Sequence, residues 1–91
     1  MAGVTKAPVV PEPGSVVVYA TGWCAFCRRL LAALPALDVP FTVVDVEADD
    51  AAARFVESVN GGNRVVPTVV FADGTTLTNP EPTQVQAKAV A

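Results

Sequence analysis

Cys24 and Cys27 stand three positions apart in the stretch TGWCAFCRRL, residues 21–30, and no other cysteine occurs in the chain. Two thiols at that spacing can hold part of a metal site, close a small structural disulfide, or exchange disulfides with a partner. A structural zinc site takes about four ligands. With no histidine and no further cysteine, one chain supplies only half of such a set, so a bound metal would have to be shared between two copies. A disulfide between these neighbours closes a loop too short to restrain much unfolded chain, and a reducing compartment would not preserve it. Thiol–disulfide exchange needs only that the pair open a helix directly after a strand, and the flanking sequence is of that kind.

That position favours a thiolate. The first turn of a helix presents unpaired backbone N–H groups and the positive end of the dipole. Cys24 falls there and Cys27 one turn further in. The expectation is a partly exposed Cys24 of depressed pKa and a less accessible Cys27 closer to an ordinary thiol. A thiol of pKa near 8.5 is about 3% ionised at pH 7, and one near 6 about 90%, roughly a thirtyfold gain. The accompanying loss of intrinsic nucleophilicity cancels about tenfold of it, leaving about two- to threefold in attack. The larger benefit is to Cys24 as a leaving group when its mixed disulfide is resolved.

The elements that hold the pair are legible on either side. Residues 15–20, SVVVYA, form an unbroken apolar β-branched run, as in a strand covered on both faces. From Ala25 the period becomes helical, with Phe26, Leu30, Leu34 and Leu37 in a stripe that Leu31 widens. Pro35 and Pro40 mark the helix end and the next turn. Residues 41–46, FTVVDV, read as a second strand, and Glu47, Asp49 and Asp50 lead into a helix with Ala52, Phe55, Val56 and Val59 at its apolar spacing. Asn60-Gly61-Gly62-Asn63 stops that helix.

Residues 65–71 and 75–78 read as two further strands joined through Asp73-Gly74, a hairpin signal. Asn79 and Pro80 are expected as N-cap and first residue of a last helix, which Val85 and Ala89 would dock weakly. Pro67 cannot donate to a ladder, so it belongs at a strand end, an edge or a cis bond. The order βαβαββα gives an α/β fold: a mixed four-stranded sheet flanked by helices on both faces. Residues 1–13, rich in proline, are expected to be a flexible extension, with the folded domain over 14–91.

With 91 residues the chain has room for one domain, and 52% hydrophobic composition can furnish its core. A net charge of −3 with six scattered Lys and Arg argues against nucleic acid as a partner. No apolar stretch is long enough for a membrane span, and the first residues do not read as a secretory signal. A cytoplasmic monomer is expected.

The sequence WCxxC at a strand–helix junction, then Val66-Pro67 at the start of a later strand, a hairpin and a final helix, resembles the thioredoxin fold in its smaller glutaredoxin form. The resemblance spans about residues 15–91. It implies that Pro67 is cis and faces the cysteines, and that the backbone of Val66 pairs with a bound disulfide. Thioredoxins proper place a buried carboxylate on the strand before the cysteines, where this chain has Val16, Val17 and Val18. The resemblance is therefore to the glutaredoxin branch.

Within that branch, residues 58–80, SVNGGNRVVPTVVFADGTTLTNP, are similar to the mycoredoxins, actinobacterial relatives that use mycothiol in place of glutathione. Thr78-Asn79 stands where glutathione-using members commonly carry Gly-Gly, and Leu77-Thr78-Asn79-Pro80 does not match the Trp-Ser-Gly-Phe of ribonucleotide-reductase donors. The resemblance implies Cys24 as nucleophile, Cys27 as resolving thiol, and Trp23, Phe26, Arg64, Val66, Pro67, Thr78 and Asn79 around the bound thiol. It implies no bound cofactor or metal. Mycothiol would serve as co-substrate, with mycothiolated or disulfide-containing proteins and an NADPH-dependent mycothiol disulfide reductase as partners. Two alternatives are a dithiol donor reduced by thioredoxin reductase and a dimeric iron–sulfur or zinc module using Cys24.

Overall fold

A computed structural model describes residues 10–90 of the chain. Of the extension read over residues 1–13, residues 1–9 lie outside the described part.

The strands are β1 (Val16–Ala20), β2 (Phe41–Asp45), β3 (Thr68–Phe71) and β4 (Thr76–Thr78), and the helices α1 (Ala25–Ala33), α2 (Asp50–Val59) and α3 (Pro82–Ala89), with a 3₁₀ turn at Pro35–Leu37. The strands form one sheet in the order β2-β1-β3-β4. β1 runs parallel to β2 and antiparallel to β3, and β3 pairs antiparallel with β4. This is the mixed βαβαββα sheet expected from the sequence.

Central β1 explains why its sequence lacks alternation. Successive side chains point to opposite faces, and both faces are covered. Val16, Val18 and Ala20 pack with Cys27, Leu30 and Leu34 of α1 and Val85 of α3. Val17 and Tyr19 pack on the other face with Ala52, Ala53 and Val56 of α2. The Tyr19 and Phe55 rings meet at 5.0 Å between centroids. Asp49 caps α2, its carboxylate accepting from the N–H groups of Ala51 (2.9 Å) and Ala52 (3.2 Å). Among the described residues no helix is long and apolar enough to cross a membrane.

Four local expectations need correction. Phe26 does not join the buried stripe of α1: it is 59% exposed, because the stripe that meets the sheet is centred on Cys27, Leu30 and Leu34. The last helix does not start at Asn79-Pro80. Glu81 is its N-cap, in a capping box with Gln84, and Pro82 opens it; Asn79 has φ of 48°, a left-handed residue that no helix start accommodates. Val85 docks α3 fully, with no side-chain exposure. β3 also starts at Thr68 instead of Val65, since Pro67 has no N–H to offer the ladder.

Candidate active site

The register of the sheet decides what surrounds the cysteines. Tyr19 near the end of β1 is opposite Thr68 at the start of β3, and Thr68 is opposite Thr78 at the end of β4. The loop before β3 and the loop after β4 therefore emerge at the same sheet end as residues 21–24. The Val66–Pro67 peptide bond is cis. The Asn79 N–H donates to the Pro67 carbonyl at 2.8 Å, tying the two loops together. The Cys24 thiol lies 3.9 Å from the Val66 carbonyl oxygen.

Cys24 is the N-cap of α1, and its own sulfur accepts the Cys27 backbone N–H at 3.3 Å. The expectation of a partly exposed nucleophile is corrected: Cys24 is only 6% exposed, closed in by the Val66 loop, and Cys27 is fully buried. Both are free thiols. Burial works against ionising Cys24. The Cys27 thiol and the Cys27 and Phe26 N–H groups donate to its sulfur, Arg28 adds positive charge, and together they leave its pKa below the ordinary thiol range. Burial pushes Cys27 the other way, reinforced by the hydrogen bond it gives to Cys24, to about 11. The pair is thus split into one thiol that ionises readily and one that holds its proton.

Around this pair the other expected residues fall into two groups. Trp23 is 68% exposed, and its indole Nε1–H donates to Glu47 Oε2 at 2.8 Å. Phe26 and Asn79 line a small cleft of about 60 Å³ with Arg29 and Glu81, which face each other at 3.6 Å. Val66 is half-buried, and among the described residues its N–H has no hydrogen-bond acceptor. Arg64 and Thr78 are engaged with α2 and its C-cap. Arg64 pairs with Glu57 of α2 at 3.1 Å, and the Thr78 hydroxyl donates to Asn60 Oδ1. Arg28, beside the pair, donates to the Gly22 carbonyl at 3.0 Å.

Sequence reasoning missed Glu47 and Asn60. Glu47 reads as part of the acidic lead into α2, and Asn60 as a helix stop; no local pattern couples either to residues over a dozen positions away. Among the described residues no group of three or more His, Cys, Asp or Glu is placed to hold a metal ion.

What the arrangement can do chemically is attack a disulfide with one low-pKa sulfur, beside an open backbone edge at Val66. Comparison with known proteins agrees. The family model "Glutaredoxin" matches residues 16–76. A Mycobacterium tuberculosis protein named as a glutaredoxin is 55% identical over 76 residues, covering 84% of this chain and 90% of that one. Mycoredoxin 1 of Corynebacterium glutamicum is 47% identical over 77 residues, covering 85% and 95%. Among solved structures, a mutant of a thioredoxin-like protein superposes with a TM-score of 0.63 at 28% identity, covering 79% of this chain and 95% of that chain. The chain belongs to the glutaredoxin family of thiol–disulfide oxidoreductases.

Proposed function

We propose that the protein reduces mixed disulfides between proteins and mycothiol, in the cytoplasm and as a monomer, through a cycle that uses Cys24 alone. The Cys24 thiolate attacks the mycothiol sulfur. A Cys24–mycothiol bond forms, the bond to the protein substrate breaks, and the departing protein thiolate takes up a proton. A second mycothiol, as thiolate, attacks the mycothiol sulfur on Cys24. Cys24 leaves as thiolate, and mycothiol disulfide is released. Each turnover thus consumes one free mycothiol, whose sulfur takes the protein's place in the disulfide, and a separate NADPH-dependent reductase supplies the two electrons that return mycothiol disulfide to two mycothiols, so the chain needs no bound cofactor.

The observation that carries the single-thiol reading is the split between the two sulfurs. Resolution by Cys27 requires its thiolate, and a fully buried thiol, whose pKa burial raises, supplies little of it near neutrality. An external thiol has no such handicap. Cys24, held below the ordinary range, is the better leaving group of the two. The likeness to Mycoredoxin 1 supports mycothiol as that external thiol. Trp23, Phe26, Val66, Pro67 and Asn79 would surround it. Arg64 and Thr78 contribute through their ties to α2 instead of by contact.

The test is reduction of a mycothiolated protein by wild type and Cys27→Ser, driven in turn by mycothiol with its reductase, glutathione with its reductase, and thioredoxin reductase alone. The proposal expects turnover with mycothiol only, retained in Cys27→Ser. Turnover with thioredoxin reductase alone, lost in Cys27→Ser, would establish the dithiol donor in its place.

A further inference from the structure

Asn60 is the C-cap of α2, half-buried, and its side chain spends every polar atom on other elements. Its Nδ2 donates to the Val56 carbonyl at 2.8 Å and to Thr68 Oγ1 at 3.2 Å, and its Oδ1 accepts from the Thr78 hydroxyl. Its own carbonyl accepts the Asn63 N–H and the Asn63 side-chain amide, each at 3.2 Å. One residue therefore joins the end of α2, the start of β3 and the end of β4. A simple helix cap would need only the first of these bonds.

The bond to Thr68 leads to the site. Thr68 is fully buried, and its hydroxyl, while accepting from Asn60, donates to the Val65 carbonyl at 2.8 Å. That carbonyl shares a rigid peptide plane with the Val66 N–H. Fixing the oxygen fixes the direction of the N–H, and Val66 is the residue whose carbonyl faces the Cys24 sulfur. The relay is side-chain amide, hydroxyl, carbonyl, peptide plane. Asn60 also stands at the start of the segment 61–67 and Thr68 at its end, so their bond clasps both ends of the loop.

We propose that Asn60 is a positioning residue of the site: acting through Thr68, it orients the Val65–Val66 peptide so that the Val66 N–H is presented to a disulfide bound at Cys24. This rests on the reading of Val66 as the edge that pairs with substrate. Breaking the relay loosens a binding contact made equally in the ground and transition states. KM for the disulfide substrate then rises while kcat, set by the resolving thiol, holds. Loss of one neutral hydrogen bond corresponds to about a fivefold change.

The experiment compares Asn60→Ala, Thr68→Val, Thr68→Ser and the double variant Asn60→Ala/Thr68→Val. Each is assayed for KM and kcat on a mycothiolated protein, for the pH profile of Cys24 alkylation by iodoacetamide, and for tryptic cleavage after Arg64, which lies within the clasped loop. The expected result is a rise of about fivefold in KM and in Arg64 cleavage for Asn60→Ala and Thr68→Val. The double variant should be no worse than either single one, Thr68→Ser should behave as wild type, and the alkylation profile should not move. Unchanged KM and cleavage in both single variants would overturn the proposal, as would additive effects in the double variant or a Thr68→Ser as impaired as Thr68→Val. If the wild type reduces no mixed disulfide, the proposed function fails by itself. Cleavage after Arg64 then decides alone whether Asn60 orders the loop: a rise supports the clasp, and no rise overturns it.

Discussion

Replacing Cys24 by Ser should make the folded protein nearly inert to thiol reagents, although a cysteine remains. The remaining Cys27 is fully buried; burial, the hydrogen bond to Cys24 and the Cys24 charge together put its pKa at about 11 in the wild type, and in Cys24→Ser burial, the largest of these causes, still holds it above the ordinary thiol range. Each unit of that rise means about tenfold fewer thiolates near neutrality. Burial adds a further factor, since reagent reaches the sulfur only when the structure opens locally. The assay is iodoacetamide labelling of Cys24→Ser at pH 7.5, quenched at intervals and read by intact mass, beside the same variant in denaturant. Labelling of the folded variant is expected to be well over about tenfold slower than in denaturant, the raised pKa and the closed structure acting together. Because the group is a thiol with a raised pKa, the rate should climb about tenfold per pH unit and keep climbing above the ordinary thiol range. In the wild type, by contrast, Cys24 should label once per chain and reach its plateau below the ordinary thiol range, the direction its lowered pKa dictates. Labelling of folded Cys24→Ser within tenfold of the denatured rate would show that Cys27 ionises and opens easily. Cys27 could then resolve the mixed disulfide, and a single-thiol cycle would be overturned.

Three further outcomes follow from particular contacts. Val85 is the one fully buried side chain of α3, so Val85→Ala should cost about 2 kcal/mol and lower the melting temperature by roughly 10 °C. Asp49→Ala removes the acceptor of two N-terminal N–H groups of α2 and should cost about 1 kcal/mol, whereas Asp49→Asn should recover most of it; denaturant unfolding measures both. Trp23 is the sole tryptophan of the chain, and its indole is held by Glu47. Glu47→Ala should lower its fluorescence anisotropy, and an unchanged anisotropy would show that the exposed ring is held by other contacts.

The parts of the fold that the sequence revealed are those where periodicity or turn chemistry speaks locally. Continuous Val16–Val18 announced a doubly covered strand, and Asp73-Gly74 announced the hairpin. The cysteine spacing placed Cys24 at a helix start, where its sulfur indeed caps α1. Where reading failed, a competing local rule prevailed. Asn79-Pro80 has the composition of a helix start, yet the chain first makes a left-handed turn there and the capping box of Glu81 and Gln84 sets the start two residues later. Phe26 fits the helical spacing of α1, but lies beyond the edge of the face that meets the sheet. The burial of Cys24 and the ties from Asn60 and Glu47 are products of tertiary register. The first two depend on Thr68 lying between Tyr19 and Thr78 across the sheet and the third on Ala20 lying opposite Asp45, and no window of sequence around any one of them contains that information.

The central claim is that Cys24 alone forms the covalent intermediate with the small thiol. Its most direct test is to mix Cys27→Ser with a mycothiolated protein in the absence of free mycothiol, quench with acid, and measure intact mass and the modified peptide. The account predicts a gain of one mycothiol per chain, located on Cys24, with stoichiometric release of the substrate thiol and recovery of the unmodified chain when mycothiol is added. A chain that leaves the substrate mycothiolated and gains no mass would contradict it.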